Sequence, residues 1–475
     1  MSESRKIVVS SLFVLLGQGL SRGLGVLLLP LLTLIFLPAQ FGMSALATSY
    51  ISFVSVVALL GLDLTYLQSI PGAAKHDAEK IEKHIWALAI VLAVCAAAIG
   101  SVAWWLWGKQ SPESAPWLAV GIFSTMIFSV CQSRMKASRH YLKLALAMTT
   151  GGVVMYVWVL ARGFSGHSQA ITLVSGYSIG VFAAVLVSSP PIGYSKSLEF
   201  PGIAQAWQLI KIGLPAAFSA PIFWIISSMD RWLVAQFWGV SEAGVYAVAA
   251  SVSGIGLLFG AVVQTVWLTE ASRLYNTTGG DCSAKLAGRI KEICFLFALA
   301  WLGLMAFSGE IVHLFAKPPY DHAIVYLPWL VTSVMLYNLF QALAVYLIIA
   351  KQLNKASIIW LFGGMLFVAL SLWASKNVNP TGIAKAQALV YGLMLVWVYF
   401  LVRRQARLTL RFGKSLCLMM AILVAGIAMV AANDVEFEMT HFIVRASCFT
   451  MLCLLVAWHF KPQLVAIFTG KKSLG

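Results

Sequence analysis

Long apolar stretches follow one another along almost the whole chain, separated by short polar connections. Each is long enough to cross a bilayer, since a transmembrane helix needs about 20 residues. The first is too long for the core of a cleavable signal peptide, so we expect it to be retained as a span. The fourteen stretches cover residues 7–37, 43–70, 84–107, 115–134, 141–161, 169–189, 209–236, 241–269, 290–315, 322–350, 356–375, 380–402, 414–432 and 440–460.

The composition agrees with a membrane protein. The 475-residue chain is 60% hydrophobic and 11% charged, whereas soluble domains contain roughly 25% charged residues. Its mean hydropathy is +0.87. These values exclude a soluble enzyme, a disordered chain and a coiled coil. The sequence therefore predicts an all-α polytopic membrane protein with about 14 transmembrane helices.

The basic residues are distributed very unevenly between the two faces of this arrangement. With the N-terminus inside, 25 of the 33 Lys and Arg residues fall on one face, and only Lys109, Arg162, Lys317 and Lys376 reach the other. Cytoplasmic loops carry such an excess of positive charge. We therefore expect both termini in the cytoplasm. The net charge of +16 is explained as an orientation signal, and no nucleic-acid partner is expected.

Several charged residues lie inside the predicted spans. A charge at the centre of a membrane helix costs about 2.5–3.5 kcal/mol on insertion scales, so such groups usually face a wet cavity or a partner. Six residues are of this kind: Arg22, Asp63, Asp230, Arg231, Lys385 and Arg445.

Arg22 is the most deeply placed of the basic residues. It lies in the glycine-rich segment Gly17–Gly25, four residues after Gln18, so the two side chains share a helix face. Glycines at this density let a helix bend or approach another backbone closely. We expect Arg22 to face an aqueous cavity, with a buried structural ion pair as the alternative.

The two embedded acids have different neighbours. Asp63 continues a polar stripe with Ser52 and Ser55 on span two, and it has either a functional role or Arg22 as its partner. Asp230 and Arg231 are adjacent, about 100° apart on a helix, so they are not expected to pair well with each other. Near the outer end of its span, Arg231 could snorkel to water.

The remaining embedded polar groups lie in the second half of the chain. Lys385 and Arg445 are about five residues from the outer surface, so snorkelling is the alternative to a binding role. Tyr337, Asn338 and Gln341 form a polar patch on span ten, explained equally by helix–helix hydrogen bonding or by sugar contact.

The sequence lacks the signatures of catalysis and of metal binding. The eight histidines show no metal-ligand spacing, and no nucleophile–base constellation is present. The seven cysteines lie mostly inside apolar runs, which does not fit a disulfide-stapled secreted domain. We therefore expect a protein that is not an enzyme and has no metal site.

A faint internal repeat relates the two halves of the chain. A shift of 202 residues aligns Ala39–Gly42 with Ser241–Gly244. Six spans separate the copies, so they share an orientation and form parallel repeats about an axis along the membrane normal. We predict two parallel six-helix bundles around a central cavity, residues 1–190 and 191–403, followed by two additional helices and a cytoplasmic tail in 404–475.

Several segments carry a family resemblance. They are Leu37–Gly42, Gly61–Asp63, Ile210–Ala217, Met229–Trp232, Gly239–Ala247 and, more weakly, Asn379–Ala384. Together with the span pattern, they resemble the O-antigen (Wzx-like) polysaccharide flippases of the multidrug/oligosaccharidyl-lipid/polysaccharide (MOP) superfamily.

This resemblance implies alternating-access flipping of an undecaprenyl-diphosphate-linked oligosaccharide across the bacterial inner membrane, for O-antigen lipopolysaccharide or another surface polysaccharide. No cofactor is implied, and coupling to protons or sodium is left open. The partners implied are membrane lipids, the lipid-linked glycan, and the polysaccharide polymerase and chain-length proteins. The expected substrate-binding residues are Gln18, Arg22, Arg231, Lys385 and Arg445, and the expected coupling or gating residues are Asp63 and Asp230.

Three alternatives are weighed against this function. A cation-coupled multidrug exporter of the same superfamily would favour twelve spans and a net acidic cavity. A membrane-embedded glycan polymerase or ligase would carry a large outer loop, whereas every predicted outer loop here is short. A lipid II flippase has the same span pattern and stays open.

Overall fold

A computed structural model of the chain is helical throughout the part that it describes. No strand occurs among these residues. The described residues are 19, 23–71, 74–107, 112–189, 199–261, 267, 271–272, 283–350, 352–406, 415–431 and 439–459.

The principal helices follow the predicted spans in order. They are α1 (Leu29–Ile35), α2 (Pro38–Ala58), α3 (Leu62–Ser69), α4 (Lys75–Trp107), α5 (Ala115–Ala137), α6 (Tyr141–Phe164), α7 (Ala170–Ser188), α8 (Ile203–Trp238), α9 (Val240–Ser253), α10 (Ser283–Ala306), α11 (Ser308–Phe315), α12 (Ala323–Ile349), α13 (Leu353–Asn377), α14 (Thr381–Ala406), α15 (Ser415–Ala431) and α16 (Met439–His459). Each of the fourteen predicted stretches overlaps at least one of them.

The all-α, many-span architecture is therefore confirmed. Among the described residues, nine helices are long and apolar enough to cross a membrane, and the bent pair α10–α11 raises that number to ten. α15 and α16 contain shorter apolar segments, Leu418–Ala428 and Phe442–Val456. The figure of fourteen spans is approximate.

Local sequence explains where α2 begins. Pro38 occupies its first turn, where the missing N–H costs no helical hydrogen bond. The Gln40 Oε1 atom accepts a hydrogen bond of 2.7 Å from the backbone N–H of Leu37. The helix therefore starts five residues before the apolar stretch predicted from 43.

The second predicted span is not one continuous helix. α2 ends at Ala58, and α3 begins at Leu62 after Leu60 (φ 52°) and Gly61 (φ 72°), both in left-handed conformation. The polar stripe predicted to run through Ser52 and Ser55 to Asp63 is therefore wrong, because this break changes the helical phase before Asp63. Hydropathy misses the break because the residues around it are apolar.

The ninth predicted span is also broken. α10 and α11 are bent by 63° at the interruption between Ala306 and Ser308. The hydroxyl of Ser308 donates to the carbonyl of Met305, three residues earlier, which satisfies one acceptor at the end of α10.

By their contacts, the described residues form two compact units. The first takes in those of 1–248, 315–320 and 360–383, and the second those of 249–314, 321–359 and 384–475. The predicted division at residues 190 and 403 stays a prediction.

Each unit has its own apolar interior. That of the first is built around large side chains such as Tyr66, Trp86 and Ile122. In the second, Phe295 and Phe340 are among the fully buried aromatic residues.

Candidate functional site

The long helix α8 packs antiparallel against α2 and α3 within the first unit. At one end, the hydroxyl of Thr65 donates to the carbonyl of Leu209 over 3.0 Å. Further along, two indoles of α8 donate to Ser49: Trp224 Nε1 to the carbonyl oxygen over 2.9 Å, and Trp232 Nε1 to Oγ over 2.7 Å. We call this line of contacts the seam. It joins the span-two region of the first predicted repeat to span seven of the second.

Paired glycines lie near both ends of the seam. Near the Thr65 end, a Cβ atom on Gly61 would overlap the backbone of Gly213, and one on Gly213 would overlap the backbone of Gly61. The left-handed φ of Gly61 adds a second reason for glycine there. Side chains are therefore excluded from both positions.

The other end of the seam is a crossing of α2 and α9. A Cβ atom on Gly42 would overlap the carbonyl oxygen of Val240 and lie 2.7 Å from the backbone nitrogen of Gly244. One on Gly244 would overlap the carbonyl oxygen of Pro38 and lie 2.9 Å from the nitrogen of Gly42. We call this contact the glycine crossing.

The glycine crossing has the register of the predicted repeat. The 202-residue shift that aligns Gly42 with Gly244 also aligns Pro38 with Val240, and these are the residues that exchange contacts. Gly42 contacts Val240, and its counterpart Gly244 contacts Pro38, which is the counterpart of Val240. Such a reciprocal contact is expected about a local two-fold axis. The two segments that the 202-residue shift aligns therefore contact each other directly at the glycine crossing.

Asp230 and Arg231 lie on α8 between the two seam tryptophans, Trp224 and Trp232. Asp230 is 2% exposed, its carboxylate accepts the backbone N–H of Arg231 over 2.8 Å, and Tyr246 of α9 is a further interaction partner. Arg231 is half-buried, and its Nε atom is buried with no hydrogen-bond partner among the described residues. This guanidinium is a candidate anion-binding group.

Lys385 and Arg445 lie in the second unit and differ in their surroundings. Lys385 is exposed, with its ammonium 5.1 Å from the ring centroid of Trp329, within the range of a cation–π contact. Arg445 is 7% exposed and forms a 2.6 Å ion pair with Glu310. Arg445 also donates to the carbonyl of Ala306 over 3.2 Å.

The Arg445 contacts bridge the bend between α10 and α11. One nitrogen satisfies a carbonyl at the end of α10, and the other binds a carboxylate in the first turn of α11. Its charge is compensated by Glu310, and its two contacts join the end of α10 to the start of α11. Sequence reasoning noted Arg445 but had no signal for its pairing with Glu310, since the two residues are 135 positions apart.

Asp63 lies at the start of α3, half-buried, with Lys136 of α5 as an electrostatic neighbour. The sequence offered Arg22 as its partner. Gln18 and Arg22 are both outside the described residues, so that pairing stays a prediction.

A polar network near Asp63 escaped sequence reasoning. Glu82 Oε1 accepts hydrogen bonds from Tyr66 (2.8 Å) and Arg134 (3.0 Å). Nearby, the Lys83 ammonium lies 3.0 Å from Glu199 and lowers the pKa of that carboxylate. These contacts join residues that are far apart in the sequence, which local spacing cannot reveal.

The polar patch on span ten has mainly helix–helix partners. The Asn338 amide donates to the carbonyl of Gly256 over 2.8 Å, and Gln341 donates to the hydroxyl of Tyr337 over 2.9 Å. Tyr337 also packs against Tyr391. Across the described ranges, no group of three or more His, Cys, Asp or Glu residues could hold a metal ion.

This arrangement of helices is the fold of the MOP superfamily transporters. It matches "Lipid II flippase MurJ, inward closed conformation" with a TM-score of 0.75 at 13% identity, over 96% of this chain and 100% of that one. It matches an inward-facing MATE multidrug transporter with a TM-score of 0.66 at 15% identity, over 83% and 94%. For a variant of the Vibrio cholerae MATE transporter VcmN, the TM-score is 0.61 at 11% identity, over 85% and 97%.

At such identities the likeness concerns the fold alone, and the family comes from the sequence. The profile of a family described as "polysaccharide biosynthesis protein" matches residues 31–324, more than half of the chain. The chain therefore belongs to the polysaccharide biosynthesis protein family, within the MOP superfamily to which the resemblance pointed. No curated protein sequence matches it.

Proposed function

We propose that this protein flips undecaprenyl-diphosphate-linked oligosaccharide units from the cytoplasmic to the periplasmic leaflet of the bacterial inner membrane. The family match over residues 31–324 carries the proposal, because it joins polysaccharide synthesis to a transporter fold. The product supplies O-antigen lipopolysaccharide or another surface polysaccharide. The polymerase and chain-length proteins would act next, and both termini would lie in the cytoplasm.

The contact between the repeats suits alternating access. Two repeats that meet about a local axis can rock against each other and expose a site between them first to one side and then to the other. The glycine crossing and the Gly61–Gly213 contact bring the backbones together at the two ends of the seam. Opening towards one side would separate one of these contacts.

The charge of the substrate guides the choice of site residues. The diphosphate is anionic, so its path needs uncompensated positive groups, and arginine suits phosphate oxygens because its donors form a planar fork. We propose Arg231 and Arg22 for this role, with Gln18 beside Arg22. Lys385 stays a candidate because it is exposed, whereas Arg445 is a weak one because it is paired with Glu310.

The two acids are proposed to act in coupling or gating. Asp230 is buried next to Arg231 and the α9 residue Tyr246, so its protonation would alter the contact between α8 and α9. Asp63 of α3 has Lys136 of α5 as its electrostatic neighbour. Whether protons or sodium ions drive transport is decided by imposing each gradient on reconstituted protein.

The experiment is complementation of a strain that lacks this chain and its surface polysaccharide. Arg231→Gln and Arg22→Ala are expected to lower the polysaccharide on the cell surface, while Arg22→Lys retains part of it. Lys376→Gln is the matched control, because this exposed lysine lies at the end of α13. Normal display with both Arg22→Ala and Arg231→Gln would contradict the proposed cationic site.

Two further assays distinguish the alternatives. A lipid II flippase would restore growth to cells depleted of their own lipid II flippase, and a multidrug exporter would raise resistance to cationic dyes. We expect neither effect. The alternatives stay in view because the fold neighbours include a lipid II flippase and MATE transporters.

A further inference from the structure

A short segment of the second half of the chain packs with the first unit. Residues 315–320, here called the strap, connect α11 to α12, and by their contacts they belong to the first unit although the residues on both sides belong to the second. Pro318 and Pro319 open its single helical turn, which ends at Tyr320. Their fixed φ angles restrict the shapes that the strap can adopt.

The strap contacts α1, α2 and the connection between them at one place each. The hydroxyl of Tyr320 donates to the carbonyl of Phe36 over 2.8 Å, and Tyr320 is 0% exposed. The hydroxyl of Thr33 lies 3.4 Å from the carbonyl of Phe315, which it can donate to. The ring of Tyr320 meets that of Phe41 edge to face, with centroids 6.1 Å apart.

The Tyr320 hydroxyl donates to a carbonyl that receives no hydrogen bond from either adjoining helix. Phe36 is the C-cap of α1, so its carbonyl has no donor within that helix. The N–H groups of Gln40 and Phe41 in α2 donate to the carbonyl of Leu37 rather than to that of Phe36. A buried carbonyl without a donor is costly, and the tyrosine hydroxyl supplies the donor.

The strap and the glycine crossing lie at the same end of the first unit. Phe41 of α2 touches Tyr320, and the next residue, Gly42, forms the glycine crossing. The connections that hold both features are those that the charge count predicts to be periplasmic. We propose that the strap is a latch that holds this end closed, and that Tyr320 must leave Phe36 before the end can open.

The first test measures access to the closed end. Ser44 is 8% exposed and lies one turn after the strap contact on α2. In a background without native cysteines, Ser44→Cys is labelled from outside the cell with a membrane-impermeant maleimide. Tyr320→Phe removes one hydroxyl, and we expect labelling to become about two- to tenfold faster, the change that one buried hydrogen bond contributes.

The matched control removes a tyrosine hydrogen bond at the opposite end of the same unit. Tyr66→Phe breaks the bond to Glu82 and so lowers stability without touching the strap. We expect it to leave the labelling rate of Ser44→Cys unchanged. An unchanged rate in Tyr320→Phe, or an equal increase in Tyr66→Phe, would overturn the latch.

A second test keeps Tyr320 intact. Leu37 is exposed and Lys317 half-buried, and they flank the strap contact on either side. In a variant that carries both Leu37→Cys and Lys317→Cys, a reducible bifunctional thiol reagent cross-links the strap to the connection between α1 and α2. We expect surface polysaccharide synthesis to stop and to resume on reduction.

Continued synthesis with the strap tied would overturn the proposal. This arm rests on the proposed function, whereas the labelling arm does not. If the function is wrong, the untied protein also fails to restore polysaccharide, so the two failures are distinguishable.

Discussion

Adding one methyl group at the glycine crossing is the sharpest perturbation that the structure offers. In Gly42→Ala, the new Cβ would overlap the carbonyl oxygen of Val240. That oxygen is part of the α9 backbone and cannot rotate away as a side chain could. The two helices must therefore move apart, and the backbone contact between the repeats is lost.

The size of the effect follows from the cost of overpacking. Forcing a methyl group into a closely packed contact costs about 1–3 kcal/mol, which corresponds to a change of about 5- to 150-fold in the equilibrium between closed and open crossings. Gly244→Ala should have the same effect, because its Cβ would overlap the equivalent carbonyl of Pro38. The double variant should cost less than the sum, since the first separation makes room for the second methyl group.

The assay combines labelling with thermal stability. Gly42→Ala should accelerate maleimide labelling of Ser44→Cys and lower the melting temperature of the purified protein. Gly288→Ala is the matched control, because Gly288 is exposed on α10 and a Cβ atom there would meet nothing within 4 Å. There alanine should be neutral or stabilising by up to about 1 kcal/mol through helix propensity. Labelling and stability equal to the parent in Gly42→Ala would refute the reasoning.

Three further predictions concern buried polar contacts, each followed by thermal unfolding. Arg445→Leu leaves Glu310 buried without its partner and should cost about 3–5 kcal/mol; making both residues Leu should recover most of this loss, and no recovery would contradict the pairing. Trp232→Phe and Ser49→Ala should be coupled by about 0.5–1.5 kcal/mol in a double-mutant cycle, whereas additive effects would contradict the 2.7 Å bond. Asn338→Leu should cost about 1–3 kcal/mol by leaving the Gly256 carbonyl without its side-chain donor, and an unchanged melting temperature would contradict that contact.

The sequence sufficed for the order of the spans and for the alignment of two segments that the structure shows to be in contact. Hydropathy depends only on residues that are close in the sequence, so it can be read without knowing the fold. Each stretch that it predicts overlaps a helix of the structure. The 202-residue shift also carried spatial information: Gly42 and Gly244, paired by sequence alone, are in backbone contact. The contact itself was not predicted, because an alignment of two segments does not say which equivalent residues lie near the axis that relates them.

The breaks and the charge partners were beyond sequence reasoning. The left-handed turn at Gly61 lies in an apolar stretch and is tied to a close approach by Gly213, which only the folded chain shows. Arg445 and Glu310 meet across 135 residues, and Tyr320 reaches Phe36 across 284. Periodicity reports which face of a helix is polar but not which distant side chain that face meets.

The most direct test of the central claim is a flipping assay with purified protein. Proteoliposomes would carry a fluorescent undecaprenyl-diphosphate oligosaccharide, and its transfer between leaflets would be followed by an impermeant quencher. We predict transfer by the parent protein, a lower rate for Arg231→Gln, and an unchanged rate for Lys376→Gln. Transfer no faster than in protein-free liposomes, under imposed proton and sodium gradients alike, would contradict the account.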